Sequence, residues 1–300
     1  MKAIHVGALI LLGAIWGASF LFIREAAHDF GPIVLMFLRV FLAGLVLIPI
    51  APFLLRNRKR LNKSELLSYW KQFLIMGAFN SAIPFTLIAF SELTITASLA
   101  SILNSLTPLC TAIIAAIWVG EKLTGQKISG AVLGIIGVMV LVGGSPLDLN
   151  NEFLLAVVAS IGAAVCYGIG TVYASRHITG LPAIQASIGQ LLGASLILAL
   201  PSVATVPDTM PSMRAIISLV ALILLSTSFA YLIYFYLLRQ VGPTRTASVT
   251  FLVPVFGTIW GIVFLDEPFS WGMLLGMAII LLSVGLVLGA KFEKKKPAIA

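Results

Sequence analysis

The chain has 300 residues, 60% of them hydrophobic and only 10% charged, with a formal net charge of +8. A soluble globular domain carries roughly 25% charged residues, so this composition excludes a soluble monomer. Two cysteines without ligand spacing argue against a metal site, and no glycine-rich nucleotide loop or other motif calls for a cofactor.

Ten apolar runs follow one another, each reaching or approaching the roughly 20 residues that cross a bilayer. They lie at 4–23, 33–54, 72–91, 95–119, 127–144, 153–174, 183–200, 214–238, 245–265 and 271–290. The first is not a secretory signal, because no small-residue cleavage site follows it and nine further spans do. Threading the spans from a cytoplasmic N-terminus places 16 of the 19 basic residues on the inner side. They cluster at Lys2, in the loop from Arg56 to Lys71, at Lys122 and Lys127, at Arg176, at Arg239 and Arg245, and in the tail from Lys291. Most acidic residues, Glu92 and Glu267 among them, fall on the outer side. The split follows the positive-inside rule. It predicts a multi-pass protein of the inner (cytoplasmic) membrane with both termini in the cytoplasm. The positive charge therefore marks topology, with the lipid bilayer as partner and not nucleic acid.

In chain order, the first span carries Trp16 and Ser19, and the second carries Arg39, an intramembrane charge near its outer end. A charge there is costly enough to suggest function. An ion pair with Glu25, Asp29 or Glu92 is the expectation favoured over a substrate carboxylate. Spans three, four and nine each place a polar residue four before a proline: Asn80 and Pro84, Asn104 and Pro108, Thr250 and Pro254. Proline removes the hydrogen bond to the carbonyl four residues back and kinks the helix. At membrane depth a freed carbonyl needs a partner or a wet cavity. These positions predict a central substrate pocket with the three prolines as hinges.

Ser98, Ser101 and Ser105 form a small polar stripe on span four that suits either close helix packing or pocket lining; Ser101 is taken into the pocket. Thr227, Tyr231 and Tyr234 share one face of span eight, and buried tyrosine hydroxyls demand partners; Thr227 and Tyr231 join the pocket. Tyr167 and Thr171 on span six complete it, facing Trp16 and Ser19 as a gate, a stacking floor or a packed core pair. Glycine pairs at 130/134, 257/261 and 272/276 have the spacing of close helix approach. They mark helices five and ten as scaffold and as a homodimer surface.

The chain also writes one plan twice. Shifting residues 107–144 by 146 brings Pro108 onto Pro254, Glu121 onto Glu267 and Gly130 onto Gly276. Trp16-Gly17 aligns with Tyr167-Gly168 at an offset of 151. Five spans per half is an odd number, so the halves run in opposite directions. The expected fold is an all-α membrane protein of ten transmembrane helices as two inverted five-helix repeats, 1–146 and 147–300. Its substrate site belongs near the midplane between the halves.

The segment TASLASILNSLTPLCTAIIAAIWVGEKLTGQKISGAVLGIIGVMVL, with FLRVFLAGLVLIP at 37–49 and WGASF at 16–20, resembles the EamA branch of the drug/metabolite transporter superfamily. The resemblance covers about 4–290 and implies a ten-helix fold that moves small metabolites, often outward. The second half departs from the first, with Asp266-Glu267-Pro268 where the first has Gly120-Glu121-Lys122. No carboxylate sits mid-span, so coupling to protons or sodium has no support in the sequence. Uncharged amides and hydroxyls among aromatic rings suit a neutral or zwitterionic small-molecule substrate, an amino acid or nucleobase, carried by alternating access. A passive facilitator of the same fold and a drug efflux carrier are the alternatives. Without clustered His, Asp, Glu or Cys at one interface, the residues do not indicate an enzyme.

Overall fold

The computed structural model describes residues 2–55, 61–121, 124–145, 150–178 and 180–288. The basic residues 56–60, Lys122 and the tail from 289 lie outside the described residues. Among those described, every regular element is helical. Among the described residues, nine helices are long and apolar enough to cross a membrane: α1 Ala3–Phe30, α2 Pro32–Leu54, α3 Trp70–Ser91, α4 Ala97–Val119, α5 Gly125–Gly143, α6 Asn151–His177, α7 Ala183–Ala204, α8 Met213–Val241 and α9 Arg245–Leu265. The tenth, α10 Trp271–Val287, is shorter but equally apolar. The ten expected spans are all present, and α1 and α6 run several residues further than the hydrophobic runs suggested.

Five of these ten helices start where a polar side chain takes a free backbone N–H. Thr96, Thr124, Asn150, Ser212 and Ser270 cap α4, α5, α6, α8 and α10 in this way. The ends of α4 and α9 repeat the same stop: Gly120 and Asp266 both take positive φ, 73° and 50°. Aspartate is one of the few residues with a side chain that tolerates this region.

The packing is duplicated. α1 lies on α9 as α6 lies on α4, and α8 lies on α1 as α3 lies on α6. α2 pairs with α7, and α5 pairs with α10. Small residues permit the close approaches. A Cβ placed on Gly17 would stand 2.7 Å from the Gly257 nitrogen on α9, and one on Gly168 would stand 3.0 Å from the Thr111 nitrogen on α4. The glycine faces of α5 and α10 close on each other: Ser283 donates to the Gly130 carbonyl at 2.7 Å and Ser270 to that of Gly144 at 2.6 Å. Gly130, Gly134 and Gly276 are thereby buried within the chain, while Val132, Ile135 and Met139 remain exposed on α5. One end of the bundle carries the start of α1 and the end of α10. The other, the loop face, carries the turns α1–α2, α3–α4, α7–α8 and α9–α10.

Candidate functional site

Two helices at the centre depart from α geometry. α3 contains a π-helical turn at Ala78–Ala82 and α8 one at Leu222–Phe229. Such a turn inserts a residue, reorients the side chains beside it and recurs at functional sites. The two turns are repeat equivalents, since Ser81 and Thr227 stand 146 residues apart. Each presents a hydroxyl to a polar side chain of the neighbouring helix pair. Arg39 Nε on α2 donates to Thr227 Oγ1 at 3.1 Å, and Gln190 Nε2 on α7 donates to Ser81 Oγ at 2.8 Å. Arg39 and Gln190 are themselves 151 residues apart, the offset that aligns Trp16 with Tyr167. The centre of the molecule is thus one polar bond written twice, charged in one copy and neutral in the other.

Aromatic rings surround it. The Arg39 guanidinium carbon lies 4.2 Å above the Phe85 ring, a cation–π arrangement that is stronger away from water. Phe85 meets Tyr167 edge-on at 6.3 Å, and Tyr167 and Tyr231 both lie within electrostatic reach of Arg39. The Tyr231 hydroxyl in turn reaches Gln190. The ion pair expected for Arg39 is not formed: among the described residues, no acidic side chain lies within salt-bridge distance of it. Arg39 is only 5% exposed, and neither terminal nitrogen of its guanidinium bonds to a described residue. A buried charge without an acidic partner is expensive. It is also the natural partner for an anionic group of a ligand.

The other expected residues distribute around this cluster. Arg39, Thr227, Tyr167 and Tyr231 meet within it. Asn80 adjoins Ser81 in the π turn, with its amide against Gly170 of α6. Trp16 and Tyr167 find separate partners: Trp16 packs on Tyr234 at 5.6 Å, while Tyr167 packs on Phe85. Ser19 donates to the Trp16 carbonyl at 2.8 Å and Thr250 to that of Ala247 at 2.9 Å. Thr171 is exposed. Ser101 donates to the Ser98 carbonyl at 2.8 Å and is fully buried against Gly257, so the serine stripe is in contact with α9.

Helix α4 is broken at Ser105 and Leu106, just before Pro108. The carbonyl of Asn104 that this proline frees is taken by the Thr107 hydroxyl at 2.8 Å. The Asn104 amide oxygen is buried with no partner. Pro84 follows directly on the π turn of α3, and Pro254 is buried inside α9.

The loop-face end of the site holds residues that sequence reasoning assigned to outer loops. Glu267 is buried, and its carboxylate accepts from the Ala97 N–H at 2.6 Å, the Ser98 N–H at 3.0 Å and the Ser98 hydroxyl. It therefore caps α4, a helix of the other half. Arg24 lies inside α1 and donates to the backbone carbonyls of Glu92 and Ile95. Glu92, in the turn after α3, is fully buried, and neither carboxylate oxygen has a hydrogen-bond partner. Burial pushes its carboxyl well above the usual carboxylate range, and the nearby Glu267 pushes the same way. Arg24 and Arg39 oppose this without overcoming it. Gln190 was legible by the rule that found Arg39, a polar side chain deep in an apolar span. The burial of Glu92 and Glu267 had no such signal, because it depends on how two turns fold inward. No group of three or more potential metal ligands occurs among the described residues.

Comparison with known proteins agrees with this architecture. The model of the EamA-like transporter family matches residues 4–143 and again 154–289. A probable amino-acid metabolite efflux pump of Escherichia coli (strain K12) is 27% identical over 95% of each chain. The uncharacterized inner membrane transporter YedA of the same organism is 26% identical over 98% of this chain and 94% of its own. The uncharacterized transporter YoaV of Bacillus subtilis is 25% identical over 91% and 92%. One solved crystal structure superposes with a TM-score of 0.64, covering 95% of this chain and 96% of its own at 20% identity, a likeness of fold alone.

Proposed function

The chain belongs to the EamA-like transporter family, and from that premise we propose that it exports a small zwitterionic metabolite of the amino-acid class. The two halves rock about the central cluster in alternating access, with the termini in the cytoplasm. Arg39 carries this reading. It is a buried guanidinium, fixed by Thr227 and Phe85, with its terminal nitrogens unmatched by any acidic side chain among the described residues. That donor edge suits a carboxylate, and the rings of Phe85, Tyr167 and Tyr231 suit the apolar remainder of the ligand. The amino-acid efflux pump among the relatives supports the substrate class.

The test is a thermal-stability screen of the purified protein against amino acids, nucleobases, sugars and cationic drugs. A ligand at about 100 times its dissociation constant stabilises by roughly 2.7 kcal/mol. Stabilisation by amino acids that Arg39→Lys loses supports the proposal. Stabilisation confined to nucleobases, sugars or cations, or undiminished in Arg39→Lys, refutes it.

A further inference from the structure

We infer that Glu92 is a proton-binding group: closing the loop face adds one proton to its carboxylate, and opening that face releases the proton to solution. The argument begins with what surrounds it. Glu92 is 0% exposed and neither of its oxygens has a hydrogen-bond partner. Three charged groups face it, and none forms a salt bridge with it. Arg24, from α1, directs its guanidinium to the backbone carbonyls of Glu92 and Ile95 instead. Arg39, from α2, is held by Thr227 and the Phe85 ring. Glu267, from the turn between α9 and α10, is saturated by Ala97 and Ser98.

A bare carboxylate without donors in such a place is far less stable than the neutral acid. Of the two buried acids, Glu267 has the donors that hold a charge and Glu92 has none, so the proton belongs on Glu92. The same turn, residues 91–97, contains the carbonyls that Arg24 binds and the helix start that Glu267 caps. Whatever opens the loop face must therefore move Glu92 toward water, where a carboxylic acid ionises at neutral pH. The step is –COO⁻ + H⁺ → –COOH, with the proton drawn from the solution on that face. A group that binds its proton more tightly in one conformation biases the protein toward that conformation as pH falls. Acid on the loop face thus favours closure. The proton site stands on this geometry alone, whereas any coupling to substrate movement rests on the transport reading above.

Infrared spectroscopy of the full-length protein in lipid at neutral pH tests it. A protonated-carboxyl band that shifts in deuterated water is expected in the wild type and in Glu267→Gln, and is lost in Glu92→Gln. Hydrogen exchange of residues 92–97, corrected for intrinsic rates, should rise with pH in the wild type and stay flat in Glu92→Gln. A wild-type spectrum without that band overturns the inference, as does a band or a pH-dependent exchange that survives Glu92→Gln. Should the band be present while no amino acid stabilises the protein, the amino-acid export reading fails and the proton site stands. Amino-acid binding without the band has the opposite meaning.

Discussion

Glu121 and Glu267 occupy the same position in the two repeats but opposite environments, which makes them a paired experiment on the value of one buried carboxylate. Glu267 accepts from two backbone N–H groups and one hydroxyl at a buried helix start. Glu121 is exposed and pairs with Lys127 at 3.1 Å. Truncating Glu267 to alanine strands the N–H groups of Ala97 and Ser98, both buried. A hydrogen bond to a charged group contributes about 1.5–3 kcal/mol, but bonds to one carboxylate do not add independently. Removing one side of a buried charged interaction costs about 3–5 kcal/mol, and that is the expected loss for Glu267→Ala. An exposed ion pair contributes about 0–1 kcal/mol, so Glu121→Ala should cost no more than that. Glu267→Gln keeps an acceptor without the charge and should fall between. Denaturant unfolding in detergent, followed by circular dichroism, measures all three. If Glu267→Ala and Glu121→Ala agree within about 1 kcal/mol, the buried cap does not hold α4 as argued, because a buried-charge loss exceeds an exposed-pair loss by more than that.

Three further outcomes follow from the geometry. Gly17→Val should destabilise the protein by about 1–3 kcal/mol or more, because its Cβ would meet the Gly257 backbone, whereas Gly7→Ala and Gly285→Ala meet nothing within 4 Å and should be nearly neutral; the same unfolding measurement compares them. Because the Glu92 carboxyl is raised when folded, the stability it contributes is fully present below the ordinary glutamate value of about 4.3 and is lost as pH rises through the folded value. Thermal unfolding across that window should show stability falling with pH in the wild type, with a flatter dependence in Glu92→Gln. Asn104→Ala removes the buried amide oxygen that lacks a partner, so the protein should lose little or no stability. If that oxygen awaits the substrate, amino-acid stabilisation should drop in the thermal screen.

The helices were legible because a bilayer sets one length and one composition for every span, and the repeat was legible because its prolines, glycines and glutamates kept their spacing. Thr227, Tyr231 and Arg39 were singled out by one physical rule, that polar or charged groups inside an apolar span need partners, and Tyr167 by its repeat alignment with Trp16. What the rule could not supply was the partners themselves. Arg39 was expected to find an acid and instead found Thr227 and Phe85, because the π turn of α8 brings a hydroxyl to its Nε. A π turn adds a single residue and has no composition of its own. Nothing in AFNSA or LILLSTSF announces it. Glu92 and Glu267 were counted with the loops because hydropathy sees distance along the chain, whereas burial at a turn is decided by which neighbours fold over it.

In a carrier built from inverted repeats, exchanging the conformations of the two halves yields the opposite-facing state. A chain with identical halves would therefore populate both states equally, whatever its stability. Only positions where the halves differ can unbalance them. Arg39 stands against Gln190, the buried Glu267 against the exposed Glu121, and Asp266 against Gly120. Under the proposed alternating access, these pairs are among the positions that would distinguish the two directions. Making the halves more alike at such a pair would shift the resting population even if every helix stayed where it is.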